Sequence, residues 1–258
     1  ADAVADALPP GATLRELGRV RLKDLASPEE IHQLLHPSLR QAFPPLRSLE
    51  STPNNLPQQL TSFLGREREL EEVGKLLEST RLLTLLGMGG LGKTRLSLQV
   101  AADALDRFAD GVWFIDLAPI RDPTLVPSAV AQELGVQEEP GRALTRTLSA
   151  HLKSRKVLLI LDNCEHLVHA CAELAAALLH AAPDVHIIAT SRESLRIVGE
   201  QTYAVLPLPV PDRTAGVDVL ARSDAVQLFV ERARLHKPGF VLTDRDAPAV
   251  AELVVRLE

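Results

Sequence analysis

The segment that decides the fold is GMGGLGKT at Gly87–Thr94, which fits the spacing G-x-x-x-x-G-K-[ST] completely. It directly follows an apolar segment, Arg81–Leu86, and opens a helical pattern that runs from about Lys93 to Phe108. Glycines permit the tight turn that points successive backbone N–H groups inward, and the start of a helix adds partial positive charge. A strand, a glycine-rich turn and a helix in this order predict a cradle for the phosphates of a nucleotide.

Each residue of this loop has an expected role. The backbone amides of four glycines would surround the β-phosphate. These glycines are Gly87, Gly89, Gly90 and Gly92. Lys93 would bridge the β- and γ-phosphates, and the Thr94 hydroxyl would ligate Mg²⁺. The alternative, a glycine-rich turn that contains Gly-Lys-Thr by chance, is disfavoured by the strand–loop–helix context.

A second signal is Lys156–Asp162, a run of large apolar residues that ends in one acid. The carboxyl tips of buried parallel strands are where open α/β sheets bind ligands, so we expect Asp162 to hold Mg²⁺ through a water. Capping of the following helix is the alternative. The next residue, Asn163, is not a useful general base. Glu165 is therefore a candidate catalytic residue, with helix capping as its alternative, and slow hydrolysis is expected.

The apolar strand His186–Thr190 is followed by Ser191 and Arg192. In sheets of this class, the strand after the acid-bearing one inserts between it and the strand of the phosphate loop. Its tip would then face the γ-phosphate, so Thr190 and Arg192 are expected to sense that group, with Arg192 supplying positive charge. The alternative for Arg192 is an ordinary surface ion pair.

Two cysteines and two histidines lie close together in the sequence and could suggest a metal cluster. They are Cys164, His166, His169 and Cys171. Cys171 falls on the apolar face of a predicted helix, where a free cysteine commonly behaves as a small buried hydrophobe. A zinc site is therefore not expected.

Apolar strands alternate with helices along most of the chain, which predicts an α/β fold with a five-stranded parallel sheet covered by helices. The strands are expected at Arg81–Leu86, Gly111–Leu117, Val157–Leu161, His186–Thr190 and Thr202–Leu206. The helices are expected at 68–79, 93–108, 125–134, 144–153, 166–181, 224–235 and 247–257.

Four segments are predicted: a small β-rich tail at 1–42, a linker rich in Pro and Asn at 43–60, the nucleotide-binding domain at 61–206, and a linker with the start of a helical domain at 207–258. Within the tail, 19–23 alternates basic and apolar residues as a strand does, and Ile31–His36 could be a second strand or a short helix.

Composition limits the possible partners. A net charge of −6 argues against a nucleic-acid or membrane surface in this segment, because such surfaces are usually basic. Two cysteines and the lack of a visible signal peptide favour a cytoplasmic protein. Because the chain begins at Ala1 and stops within a helical pattern at Glu258, we expect a fragment of something longer.

With these residues, the chain resembles the STAND class of signal-transduction ATPases, which includes NB-ARC-type switches. More narrowly, it resembles bacterial multidomain regulators that pair a class III nucleotidyl-cyclase domain with such an ATPase, some with helical repeats or a LuxR-type DNA-binding domain. The resemblance covers nearly the whole chain and is carried by Leu17–Leu25 with Gln33–Leu35, Phe63–Leu70, Gly87–Thr94, and Leu159–His166 with Thr190–Arg192.

The resemblance implies that 1–42 is the end of a cyclase-like domain without its catalytic positions, so no cyclase activity is expected. It implies that Gly65 and Arg66 lie against the adenine of ATP or ADP, and only the resemblance favours ATP over GTP. Two departures are evident: plant and animal members usually have two acids where this chain has Asp162-Asn163, and the Gly-Leu-Pro-Leu motif of relatives is absent from these residues.

Three functions stay open at this point. The first is an ATP·Mg²⁺-dependent regulatory switch with slow hydrolysis, which would work on other domains of its parent chain and could self-associate on activation. The second is a structural module that holds ADP without turnover. The third, a kinase for a small molecule, is disfavoured because no arginine-rich lid is visible.

Overall fold

The computed structural model describes residues 12–20, 29–36, 52–59, 61, 63–209 and 216–256. Much of the predicted tail lies outside this description, as do linker residues 43–51, residues 210–215 and the final residue of the last predicted helix. In the described part of the chain, no helix combines the length and the apolar character that crossing a membrane requires.

The central feature is a sheet of five parallel strands in the order β4-β5-β6-β3-β7, which confirms the predicted α/β fold. Its strands are β3 (Leu82–Leu86), β4 (Val112–Asp116), β5 (Leu158–Asp162), β6 (His186–Ser191) and β7 (Glu200–Ala204). A separate antiparallel pair consists of β1 (Thr13–Val20) and β2 (Glu29–Leu35). Of the two alternatives left open for Ile31–His36, the structure shows the strand.

Helices cover the sheet and then continue beyond it. They are α1 (Glu67–Ser79), α2 (Lys93–Asp103), α3 (Val126–Glu133), α4 (Leu144–Leu152), α5 (Val168–Ala181), α6 (Val217–Leu220), α7 (Asp224–His236) and α8 (Ala247–Arg256). Short 3₁₀ turns occupy Leu105–Arg107, Pro123–Leu125 and Cys164–His166.

The sheet has a hydrophobic core on each face because side chains alternate along a strand. On β5, Leu158 and Ile160 pack with α1 and α2, whereas Leu159 and Leu161 pack with α3, α4 and α5. All five residues of β5 are buried, which explains why its sequence is a continuous apolar run rather than an alternating one. This arrangement holds the carboxyl tip of β5 in a fixed place.

Several predicted boundaries were wrong. The helix predicted to reach Phe108 ends at Asp103, and a 3₁₀ turn follows that buries Leu105 and Phe108. The fifth strand is Glu200–Ala204 rather than 202–206, although the Val205 N–H just beyond it still donates to the Leu86 carbonyl at 2.7 Å. The helix predicted from His166 begins at Val168, after the 3₁₀ turn.

Part of the segment predicted as a linker is attached to the sheet. The amide of Val112 donates to the Pro53 carbonyl at 3.0 Å, and the Asn55 side chain bonds both the N–H and the carbonyl of Phe114 at 2.6 and 2.8 Å. β4 is the edge strand on this side, so its outer backbone groups need partners. The prolines and asparagines prevent regular structure in this stretch, but its hydrogen bonds attach it to β4.

Candidate functional site

The strand order brings three functional strand tips together. β6 lies between β5 and β3, as the sequence predicted, so the ends of these three strands are neighbours at one edge of the sheet. β3 leads into the glycine-rich loop, β5 ends in Asp162, and β6 ends beside Arg192. The carboxyl edge of an open parallel sheet is where such folds place ligands.

The loop between β3 and α2 needs glycine at several points. Gly90 and Gly92 have φ of +87° and +83°, in the left-handed region that favours glycine. A Cβ at Gly87 would lie 2.8 Å from the Val205 carbonyl oxygen, which is too close for any side chain. Lys93 is 8% exposed, and its Nζ donates to the carbonyls of Gly87 and of the next residue at 2.8 and 2.9 Å. The ammonium is therefore held inside the curve of the loop.

Asp162 is a buried carboxylate with two hydroxyl donors. The Oγ1 atoms of Thr94 and Thr190 both donate to its Oδ1, at 2.8 and 2.7 Å. Burial is the main cause that raises the pKa of Asp162; the hydroxyl bonds oppose it, and the negative charges of Asp116 and Glu165 add to it. Among the described residues, no cation forms an ion pair with this carboxylate.

These atoms fit a magnesium ion. A hydroxyl and a carboxylate are hard oxygen ligands of the kind Mg²⁺ prefers. A divalent cation would also offset the cost of a buried negative charge surrounded by other acids. Thr94 and Asp162 could therefore hold the metal, next to a loop whose amides suit phosphate.

Thr190 is buried at the tip of β6, where it is bonded to Asp162. It is 1% exposed, its hydroxyl donates to Asp162, and the same oxygen accepts the Asn163 backbone N–H at 2.9 Å. These bonds suit the orientation of Asp162, and the expected role of Thr190 toward a γ-phosphate stays a prediction.

Arg192 and Glu165 form an ion pair with each other. The Arg192 Nε lies 3.2 Å from Glu165 Oε1, so the structure shows the alternative weighed for Arg192, with the other catalytic candidate as its partner. An Nη atom of Arg192 lies 3.5 Å from the position that a Cβ at Gly89 would take, which puts the guanidinium over the loop. Glu165 makes no capping bond to α5, and its buried Oε2 has no hydrogen-bond partner among the described residues.

A cleft of about 490 Å³ lies beside the loop, and Arg66 is among the residues that line it, whereas Gly65 is not. Its walls come from the segment before α1, the loop, the start of α2, the residues after β7, and the C-terminal helices. Lining residues include Phe63, Leu91, Arg95, Leu208, Phe229 and Arg232. The cleft is mainly apolar with arginines at its margin, which suits a flat aromatic ring joined to phosphates.

The four cysteine and histidine side chains do not come together at one point. Cys164 Sγ donates to the Leu161 carbonyl at 3.3 Å and also interacts with the thiol of Cys171, which is buried in the core. His166 Nε2 bonds the Ile120 carbonyl at 2.7 Å, and the exposed His169 pairs with Glu173 on its own helix. In the parts of the chain that are described, no group of three or more acidic, histidine or cysteine side chains could hold a metal.

Sequence reasoning missed some residues of this region. Asp116 ends β4 directly beside Asp162 in the register, and the same signal, an apolar strand that ends in an acid, could have found it. Phe229 and Arg232 on α7 could not have been found, because no local pattern shows that this helix reaches the loop.

The chain has a five-stranded parallel sheet, a glycine-rich phosphate loop after β3, and an acid, Asp162, at the tip of β5. These features together define the class of P-loop NTPases. Within that class, a model of the family Novel STAND NTPase 1 matches residues 55–202. This match covers more than half of the chain, which therefore belongs to that family.

Two relatives come from Mycobacterium tuberculosis strain H37Rv. Rv0890c, named as a candidate HTH-type transcriptional regulator, is 40% identical over 183 residues, which cover 71% of this chain and 19% of the relative. Rv0894, an uncharacterized protein, is 36% identical over 225 residues, which cover 86% of this chain and 54% of the relative. The chain thus spans about a fifth and about half of the length of these two curated relatives.

A solved structure of similar fold is the STAND protein with a tetratricopeptide repeat sensor from Pyrococcus horikoshii. It is 16% identical, with a TM-score of 0.48, and the match covers 80% of this chain and 29% of that one.

Proposed function

We propose that this chain is the ATP- and ADP-binding switch of a multidomain regulator, with slow Mg²⁺-dependent hydrolysis. The observation that carries the proposal is the contact of 2.8 Å between Thr94 Oγ1 and Asp162 Oδ1 at the foot of the glycine loop. It joins a hydroxyl and a carboxylate suited to Mg²⁺ to a set of amides suited to phosphate.

Each group would have a defined part in nucleotide binding. The amides of the loop would bind the β-phosphate, and Lys93 would exchange its two carbonyl partners for phosphate oxygens. Thr94 and Asp162 would hold Mg²⁺, which when bound neutralises charge on the phosphates. The base would enter the apolar cleft beside Gly65.

Slow turnover follows from the acids near the loop. Asn163 cannot accept a proton from water, and Glu165 already pairs with Arg192 at 3.2 Å. Arg192 would have to leave Glu165, at least in part, before its charge could serve a γ-phosphate. This separation would have to precede each turnover, so the site suits a timed switch better than a fast enzyme.

The regulatory context is proposed from relatives. The name of Rv0890c supports a role in transcriptional control, exerted through other domains of a longer protein. Several expectations stay predictions. They are a cyclase-like origin of 1–42, the domain limits 61–206 and 207–258, an NB-ARC-like mode of switching, a LuxR-type partner domain, self-association and a cytoplasmic location. No nucleic-acid or membrane contact is expected from this acidic segment.

A second candidate is a structural module that retains ADP without turnover. The Glu165–Arg192 pair favours it, because neither group is free in this arrangement. Single-turnover measurement of phosphate release separates the two functions. Slow release of one phosphate per chain supports the switch, whereas no release over many hours supports the structural role.

The test of nucleotide binding is Lys93→Ala, measured by titration with ADP and ATP in the presence of Mg²⁺. Loss of a buried cation that pairs with phosphate costs about 2–5 kcal/mol, so affinity should fall at least about thirtyfold. Lys75→Ala is the matched control, since Lys75 is exposed on α1 and pairs only with surface acids. Unchanged affinity in Lys93→Ala would reject the assigned cradle.

A further inference from the structure

Arg66 is a buried arginine whose guanidinium joins three segments of the chain. It is 6% exposed, and one Nη atom donates to the Leu91 carbonyl of the phosphate loop at 2.9 Å and to the Leu206 carbonyl after β7 at 3.0 Å. Its other Nη atom pairs with Glu69 at 3.0 Å. All of its observed bonds are therefore internal, and two of them tie the loop to the segment that leads toward the C-terminal helices.

Gly65, the residue before it, lies in tight contact with the first residue of α7. Its φ is +70°, in the left-handed region, and a Cβ there would lie 2.3 Å from the Cβ of Asp224. Real side chains do not approach so closely, so only glycine lets α7 sit this near the start of α1. The two adjacent residues thus contact the loop, the segment after β7, and α7.

The cleft beside the loop is built from these same parts. Leu91, Arg66, Leu208 and two residues of α7, Ala225 and Phe229, all line it. A change in the loop that moves the Leu91 carbonyl would disturb Arg66, and therefore also its hydrogen bond to the Leu206 carbonyl. Contacts of this kind form a continuous physical connection between the loop and α7.

We propose that Gly65 and Arg66 form a junction that couples the state of the phosphate loop to the docking of α7. Arg66 is a positioning residue of the loop, and Gly65 provides the close contact with the helix. The inference rests on the proposed nucleotide binding and adds the route by which it would be transmitted. Coupling of this kind is reciprocal, so a change in α7 docking must also change nucleotide affinity.

The first test compares hydrogen exchange in wild type and Arg66→Ala, with and without saturating ADP·Mg²⁺. In wild type, ADP is expected to slow exchange in both the loop and α7. In Arg66→Ala, saturating ADP should still protect the loop, but α7 should exchange about tenfold faster or more, as expected for lost charge-assisted bonds. Equal protection of α7 in the two proteins would overturn the proposal.

Three further variants separate coupling from general destabilisation. Arg66→Lys keeps the charge but lacks the fork, so it should preserve loop protection and restore α7 only in part. Glu69→Gln keeps an acceptor for Arg66 and leaves both carbonyl bonds, so its effect on α7 should be smaller than that of Arg66→Ala. Arg68→Ala, at an exposed position two residues on, should leave α7 unchanged. An equal loss of α7 protection in Arg66→Ala and Arg68→Ala would contradict a specific role.

Gly65→Ala tests the other half of the junction. A methyl group there should displace α7, raise its exchange rate and weaken ADP binding about tenfold by reciprocity. Gly74→Ala is the matched control, since a Cβ at this helical position meets nothing within 4 Å. Normal α7 exchange in Gly65→Ala would show that the close contact has no role in docking.

Failure of the proposed function can be told apart from failure of the junction. If wild type binds neither ADP nor ATP at millimolar concentration, nucleotide binding is wrong. Exchange without nucleotide then still tests the junction, because Arg66→Ala should loosen both Leu91 and α7. Identical rates in wild type and Arg66→Ala would refute the junction on its own.

Discussion

At the scale of single residues, the buried carboxylate of Asp162 lowers the stability of the folded chain, and a bound cation would offset this cost. The residue is 7% exposed and its charged neighbours are the acids Asp116 and Glu165, so burial and repulsion raise the pKa of its carboxyl group. Thr94 and Thr190 hold one oxygen in place at 2.8 and 2.7 Å. Functional sites often contain a side chain that is held in a fixed orientation although it destabilises the folded chain, and Asp162 has both properties.

Asp162→Asn is expected to make the nucleotide-free protein more stable at neutral pH and to remove the Mg²⁺ dependence of ADP binding. Because the folded-state pKa of Asp162 is raised, the folded chain binds the proton more tightly than the unfolded chain. The stability that this group contributes is present below the ordinary carboxyl pKa and is lost as the pH rises through the raised value. The extra stability of Asp162→Asn over wild type should therefore grow as the pH rises from the ordinary carboxyl pKa through the raised pKa.

Urea unfolding at a series of pH values from acid to neutral measures this difference. Asp184→Asn is the control, since Asp184 is exposed near the opposite end of the sheet, before β6. If Asp162→Asn is less stable than wild type at neutral pH, the buried carboxylate does not destabilise the folded chain.

At the scale of elements, α1 is fixed to the edge strand β7 by one polar contact. The Tyr203 hydroxyl donates to Glu72 Oε2 at 2.8 Å, and burial together with this bond raises the pKa of Tyr203 to about 12. Since α1 begins directly after the Gly65-Arg66 junction, this bond also steadies the junction.

The tyrosinate absorbance of the intact protein tests this contact directly, because Tyr203 is the sole tyrosine of the chain. An ordinary tyrosine is half ionised near pH 10, whereas Tyr203 should remain largely neutral there. Stability from the neutral phenol is complete below the ordinary pKa and is lost as the pH rises toward about 12. Glu72→Gln should lower the midpoint only in part, since burial is the larger cause.

The urea-unfolded chain serves as the reference for this titration and should titrate near pH 10. A midpoint near that value in the folded protein would mean that Tyr203 is neither buried nor bonded to Glu72.

At the scale of the whole molecule, the cleft beside the phosphate loop lies where the sheet unit meets the C-terminal helices. The sheet has two large cores, whereas the helices have small ones, built from residues such as Val226, Val250 and Val254. Few buried apolar contacts make this end the less stable part. A ligand held between the two parts would add most of its stabilisation there.

ADP·Mg²⁺ at a hundred times its dissociation constant should stabilise the chain by about 2.7 kcal/mol. For a chain of this size, that corresponds to a rise in Tm of roughly 5–10 °C. Calorimetry with and without ADP measures the shift, and a metal chelator should remove much of it. At the same ADP concentration, Lys93→Ala should show at most about a third of this shift, because a thirtyfold weaker affinity leaves about 0.9 kcal/mol. A wild type whose Tm is unaffected by ADP would contradict nucleotide binding.

The sequence predicted the parts whose signals are local, but local signals do not reveal distant contacts. The bond from Thr190 to Asp162 was not foreseen, because a position at a strand tip does not tell where the hydroxyl points. The pairing of Arg192 with Glu165 was open for the same reason. The two backbone carbonyls that Arg66 bonds were also not foreseen, and its contact with adenine stays a prediction from the resemblance.

By itself, the sequence determined the strand–loop–helix with its glycine turn and the fully buried β5, because glycine torsions and apolar runs act over a few residues. Only the tertiary structure decided which distant groups meet. Arg66 bonds a carbonyl 140 residues away, and Tyr203 bonds a carboxylate 131 residues away. Such contacts arise from the packing of whole elements, so no pattern along the chain specifies them.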